Sequence, residues 1–270
     1  MSRNAMYALD QSATVLRGFS WRTVENSAAY IIPYLKPDMV ILDVGCGPGT
    51  ITLDLANRVP NGRVVGVDNT SVPLQSASTL AAQAGITNAT FEESDALALP
   101  FPDGSFDLVH AHQLLQHVQD PVGVIREMRR VTRPGGLVAV RVMDFESMAW
   151  FPDVPGIQDS CAMRLRTAHT KGTESSAGRR LVSWALEAGF TRDSIAATAG
   201  TWCYSTVDER RTWSEMIAHI LLATPLGISG VEQGLAAQKD LERMAHAWRE
   251  WETKEDGWFS VLHGEIVCRV

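Results

Sequence analysis

The stretch ILDVGCGPGT, residues 41–50, constrains this chain more than any other. A β-branched apolar run ends in an acid, and Gly45, Gly47 and Gly49 follow at alternate positions. Glycines directly after a strand let the backbone approach a ligand with no Cβ in the way. A helix opening near Thr50 offers free N–H groups to a carboxylate or phosphate. The next apolar run closes on Asp68, 19 positions after Gly49, where an acid can accept both hydroxyls of a ribose.

Around this stretch the pattern alternates. Strand-like runs are expected at Val40–Val44, Val64–Asp68, Thr90–Glu93, Phe106–His110 and Leu137–Met143. Helices are expected at Ile51–Arg58, Val72–Ala84 and Pro121–Arg130, the last opened by Asp120 and Pro121. Residues 21–35 have helical spacing. Such alternation predicts an α/β fold, a doubly wound, mostly parallel sheet with helices on both faces. After Met143 the pattern changes to turn residues and short helical pieces over 144–175. A helix Ala177–Ala188 stopped by Gly189, a strand Ser194–Tyr204 and a helix capped by Thr206 and Glu209 follow. Val231–Glu252 reads as one more helix, and WFSVLHGEIVCRV as a final strand. The expectation is one domain, 1–270, with an N-terminal lid segment 1–25 and helical cap insertions at 144–175 and 205–256.

The formal net charge of −7 argues against nucleic acid as a partner, since phosphate binding needs clustered basic residues. Arg126, Arg129, Arg130 and Arg133 are expected to form a solvated helix face. Cys46, Cys161, Cys203 and Cys268 show no C-x-x-C spacing, which points to a reducing compartment without structural zinc. The start has no apolar signal core, and MIAHILLATPLG is too short to span a membrane. A soluble cytoplasmic protein is expected, with oligomeric state open.

Three details bear on the ligand. The glycine spacing differs from the G-x-G-x-x-G that wraps a pyrophosphate, and no P-loop is present. Asp43, just before the turn, repels phosphate but can hold an ammonium, directly or through water. Asp95, in ESDALALPFPDGSFD, is placed to accept from an adenine amino group. An acid before the turn, an acid after it and no phosphate cradle suit S-adenosylmethionine better than NAD.

The segments VILDVGCGPGTITLDLA, VVGVD, SDALALPFPDGSFDLVHA and IREMRRVTRPGGLVAV resemble the motifs of class I S-adenosylmethionine-dependent methyltransferases. The resemblance is to the ubiquinone/menaquinone-biosynthesis-like (methyltransferase type 11) branch. Both chain ends resemble a natural-product subgroup of it. It implies a seven-stranded sheet whose last strand is antiparallel. It also implies cofactor contacts from Gly45, Gly47, Gly49, Asp68, Asp95 and Ala96. Asp43, Asn69, Ala111 and Gln113 complete the candidate cofactor set, with S-adenosylhomocysteine as product.

The acceptor is expected to face the end of the fourth strand, FDLVHAHQLLQHV. His110, His112 and His117 are candidate bases, with His112 and Gln113 the better-placed pair. No third ligand accompanies His110 and His112, so no metal is expected. Seven of eight tryptophans follow residue 148, which suits a flat apolar acceptor. Tyr7 is a candidate catalytic residue, and Tyr7, Trp21, His112 and Trp202 are candidate acceptor contacts. The expected reaction is methyl transfer to a small aromatic natural product, with carbon methylation of an indole-type ring leading. Carboxyl or hydroxyl O-methylation is the near rival. An NAD-dependent reductase and a non-catalytic cofactor-binding regulator are the readings from other classes.

Overall fold

The computed structural model describes residues 21–170 and 173–270. In chain order these form α1 (Val24–Ser27), a 3-10 turn (Ala29–Tyr34), β1 (Val40–Val44), α2 (Thr50–Arg58), β2 (Arg63–Asp68), α3 (Ser71–Ala84), β3 (Ala89–Glu93) and β4 (Phe106–His112). There follow α4 (Pro121–Val131), β5 (Thr132–Met143), β6 (Ala149–Phe151), α5 (Ile157–Thr170), α6 (Ala177–Glu187) and β7 (Ile195–Tyr204). The chain ends with α7 (Val207–Ala223), α8 (Pro225–Glu232), α9 (Gln238–Glu252) and β8 (Trp258–Arg269). It divides into two compact units.

Among the described residues the sheet unit comprises 21–143, 177–200 and 263–270. Its strands run β3-β2-β1-β4-β5-β8, with β7 also on β8. β1 to β5 are parallel, and β8 returns antiparallel to β5 from Leu137↔Arg269 to Met143↔His263. β1 and β4 are neighbours on which the chain winds in opposite directions, so a crevice opens outside their carboxyl ends. Ile41, Leu108, Leu137, Ala139 and Val267 share one buried face with Ile31, Ile51 and Leu55 packed on it. Asp120 caps α4 by accepting from the Gly123 N–H at 2.7 Å.

The expected helix over 21–35 is instead a single α turn that stops where Ala28 leaves helical geometry, followed by a 3-10 turn that contains Pro33. Of the four arginines expected to form a solvated helix face, Arg126, Arg129 and Arg130 lie on α4, with Arg126 exposed, and Arg133 lies in β5. Arg126 and Arg129 donate to the carbonyls of Glu187, Ala188 and Gly189, closing the end of α6. Arg130 joins Glu127 and Asp103, and Arg133 joins Asp107.

The helical unit comprises residues 144–176 and 201–262, apart from the undescribed pair 171–172. Here β6 pairs with the start of β8, from Ala149↔Ser260 to Phe151↔Trp258. Neither β6 nor the 14-residue α5 is among the short pieces expected over 144–175. The expected helix Val231–Glu252 is two helices, α8 and α9, broken where Gly234 takes φ +69°. Trp213, Trp248, Trp251 and Phe259 form the core of this unit, with Trp213 and Phe259 stacked at 4.6 Å. Two of the indole N–H groups are used: Trp248 donates to Ser160 Oγ and Trp251 to the Phe151 carbonyl. Those two tryptophans therefore pack the interior, as their helical spacing suggests.

Candidate active site

The glycine turn is built onto β2. Gly45 and Cys46 both donate to the Val67 carbonyl, at 2.8 and 2.9 Å, and Gly47 donates to Asp68 Oδ2 at 3.0 Å. All three glycines hold positive φ, a conformation costly for other residues. A Cβ on Gly49 would lie 2.6 Å from the Ala77 Cβ, so this glycine lets α3 pack close. A Cβ on Gly47 would meet nothing within 4 Å. The turn thus presents bare backbone to open space beside an acid. Burial raises the Asp68 carboxyl pKa, and hydrogen bonds from Gly47 and Thr70 pull the other way.

Asp43 is buried with both oxygens engaged. Thr52 Oγ1 donates to Oδ2 at 2.6 Å, and His110 Nδ1 stands 2.8 Å from Oδ1. Asp43↔His110 is a register pair of β1 and β4, so both side chains leave the same face. One lone pair per oxygen stays available, so an ammonium or a water can still bind. His110 Nε2 is sealed from solvent and meets no partner among the described residues.

The same face carries a polar row toward the carboxyl edge. His112, Arg141 and Glu265 are aligned across β4, β5 and β8. Arg141 Nε donates to Glu265 Oε1 at 3.0 Å, and Thr198 Oγ1 to Glu265 Oε2 at 2.9 Å. His110 and His112 rings lie parallel, 6.5 Å apart. Burial, then Arg22 and Arg141, push the His112 pKa well below the ordinary imidazole value. His112 is therefore a neutral imidazole at neutral pH.

Gln113 follows in the left-handed region, φ +57°, the one non-glycine residue there among those described. Its N–H donates to the Arg141 carbonyl, and its amide oxygen accepts from Met143 N–H and Gln116. Among the described residues its amide nitrogen is buried without a partner, as is the amide oxygen of Asn69. Ala111 is fully buried in β4. Asp95 is exposed beyond β3, accepting from Leu97 N–H at 2.9 Å, with Ala96 beside it. Trp21 opens the described chain, its carbonyl accepting from Asn26. Trp202 is buried in the helical unit. Tyr7 and the greater part of the expected lid, 1–25, lie outside the described residues.

The structure thus brings Asp43, the glycines, Asp68, Asn69, Ala111, His112 and Gln113 to the carboxyl ends of β1, β2 and β4. Sequence reasoning did not single out Arg141, Glu265 or His263. The available signal was a charge inside each of two apolar strand runs, VAVRVM and GEIVCRV.

A methyltransferase-domain family model matches residues 35–199. A methyltransferase of Schizosaccharomyces pombe is 34% identical over 270 residues, covering 97% of this chain and 96% of its own. A probable methyltransferase of Aspergillus luteorubrus is 29% identical, covering 97% and 99%. A solved phosphoethanolamine N-methyltransferase of Haemonchus contortus superposes with a TM-score of 0.61. It is 15% identical, covers 100% of this chain and 60% of its own, and so speaks to the fold alone. The chain belongs to the methyltransferase-domain family. Its residues fit S-adenosylmethionine: a bare turn at Gly47, an ionisable acid for a ribose, and orphaned amide atoms on Asn69 and Gln113. Family and fit together make it an S-adenosylmethionine-dependent methyltransferase, which decides against the reductase.

Proposed function

We propose that the enzyme methylates a small aromatic or heteroaromatic natural product, with carbon methylation of an indole-type ring as the leading acceptor. When bound, S-adenosylmethionine supplies a methyl group on a sulfonium centre. The backbone from Gly45 to Gly49 holds it closely, Asp68 accepts from its ribose, and Asp95 with Ala96 flanks its adenine. Asp43 and Gln113 Nε2 serve its charged amino-acid end.

The observation that carries the acceptor reading is the setting of His112. A buried imidazole facing Arg22 and Arg141 resists a proton, so it is a poor base for a reluctant hydroxyl. An electron-rich ring carbon needs alignment more than a base, and alignment is worth about 7–11 kcal/mol. S-adenosylmethionine, when bound, would supply its methyl group to a ring carbon and leave as S-adenosylhomocysteine. The ring proton would pass to water, with His112 a neutral hydrogen-bonding neighbour of the acceptor and not its base. Tyr7, Trp21 and Trp202 are proposed acceptor contacts, which Tyr7→Phe and alanine variants at the two tryptophans test.

The test is incubation with S-adenosylmethionine and a panel of indoles, phenols and carboxylic acids, read by product mass spectrometry. Carbon-methylated indole is the expected product; exclusive oxygen methylation overturns the acceptor class. In parallel, S-adenosylhomocysteine at a hundredfold excess over Kd should stabilise the chain by about 2.7 kcal/mol. NAD should not, and Asp68→Ala should lose the effect.

A further inference from the structure

Arg164 stands on α5 in the helical unit. Its guanidinium carbon lies 3.8 Å from the centroid of the Phe145 ring. Its Nε is sealed from solvent and meets no acceptor, and among the described residues the side chain makes no hydrogen bond or ion pair. The nearby acid of the same helix is taken, since Asp159 pairs with Arg243 at 2.8 Å. Burial holds the guanidinium down at about 10, well below an arginine's ordinary value. The group is still a cation at neutral pH.

Among the described residues this cation has no counter-charge and its buried Nε–H is unmet, an arrangement that costs a folded chain free energy. Such a side chain is accounted for when a ligand brings the missing charge. The Phe145 ring supports the guanidinium at its centre, and an arginine's five donors all lie in one plane. The side chain is only partly buried, so part of that donor fork is reachable. A planar carboxylate meets such an edge with two parallel hydrogen bonds. Among the described residues one uncompensated cation stands here, which matches a single negative charge better than a phosphate dianion.

We infer that Arg164, backed by Phe145, is the binding site for a monocarboxylate. The inference goes beyond the function proposed above and stands on the helical unit alone. The experiment is calorimetric titration of the full chain with 2-naphthoate and with 2-naphthamide, which share a shape and differ in charge. Wild type should prefer the acid by about tenfold or more, the range of a charge-assisted hydrogen bond. Arg164→Gln should bind both alike, and Arg164→Lys should keep only part of the preference, because it keeps the charge and loses the fork. Equal binding by wild type, or an undiminished preference in both variants, overturns the site. So does Arg164-dependent binding of inorganic phosphate tighter than that of naphthoate. The titration reads binding and not turnover, so it can uphold this site even where the acceptor panel overturns the proposed function.

Discussion

At the scale of single residues, the consequences of burial are sharpest at His112. Its folded-state pKa is depressed, so the unfolded chain takes the proton first. Above about pH 6.5 neither state is protonated, and His112 has no effect on stability. As pH falls through that value, the unfolded state gains up to about 1.4 kcal/mol per unit until the folded pKa is reached. Urea unfolding at pH 8 and pH 5 should therefore show a larger loss for wild type than for His112→Asn. Parallel losses would mean that the imidazole is not held neutral. Asp43 makes a different point at this scale. Thr52 and His110 hold its carboxylate on both sides, so it meets a ligand already oriented.

Among the elements, the turn that ends β4 is the most demanding. Gln113 sits in the left-handed region, which disfavours a side chain by about 1–2 kcal/mol. Its side chain compensates by accepting from Met143 and Gln116. Gln113→Gly removes the strain and the amide together, so stability should change by less than about 1 kcal/mol. Gln113→Ala keeps the strain and loses the bonds, and should be the less stable of the two by chemical denaturation. Both should bind S-adenosylhomocysteine more weakly, because the amide nitrogen is gone. If alanine matches glycine in stability, the strain argument fails.

For the molecule as a whole, chain order and spatial order diverge. The sheet unit is assembled from three separate segments, and its last eight residues return to cover β5. Seven register pairs join β5 to β8, and Ile266, Val267 and Cys268 are buried there. Removing residues 263–270 leaves Val138, Val140 and Val142 on an open sheet edge, which invites aggregation. The truncated chain is expected to lose its cooperative thermal transition and its solubility. A soluble product with an unchanged melting temperature would show that β8 is dispensable.

Local chemistry was legible in the sequence by itself. The glycine turn, the acid at Asp68, the strand–helix alternation and the caps at Asp120 and Thr206 depend on neighbours within a few positions. Their residue types therefore reveal them, and the resemblance of those segments to a methyltransferase family agrees with the family the chain belongs to. The break between α8 and α9 was missed, because a glycine interrupts a helix only where packing leaves its backbone free to turn. What only the tertiary structure decided is which distant groups share a face. Asp43 meets His110 across 67 positions, and Arg141 meets Glu265 across 124. Strand register makes those pairs, and register follows from how whole strands pack, a quantity no short stretch of sequence carries. The same holds for Arg164, whose lack of a charge partner among the described residues is a property of its surroundings and not of its residue type.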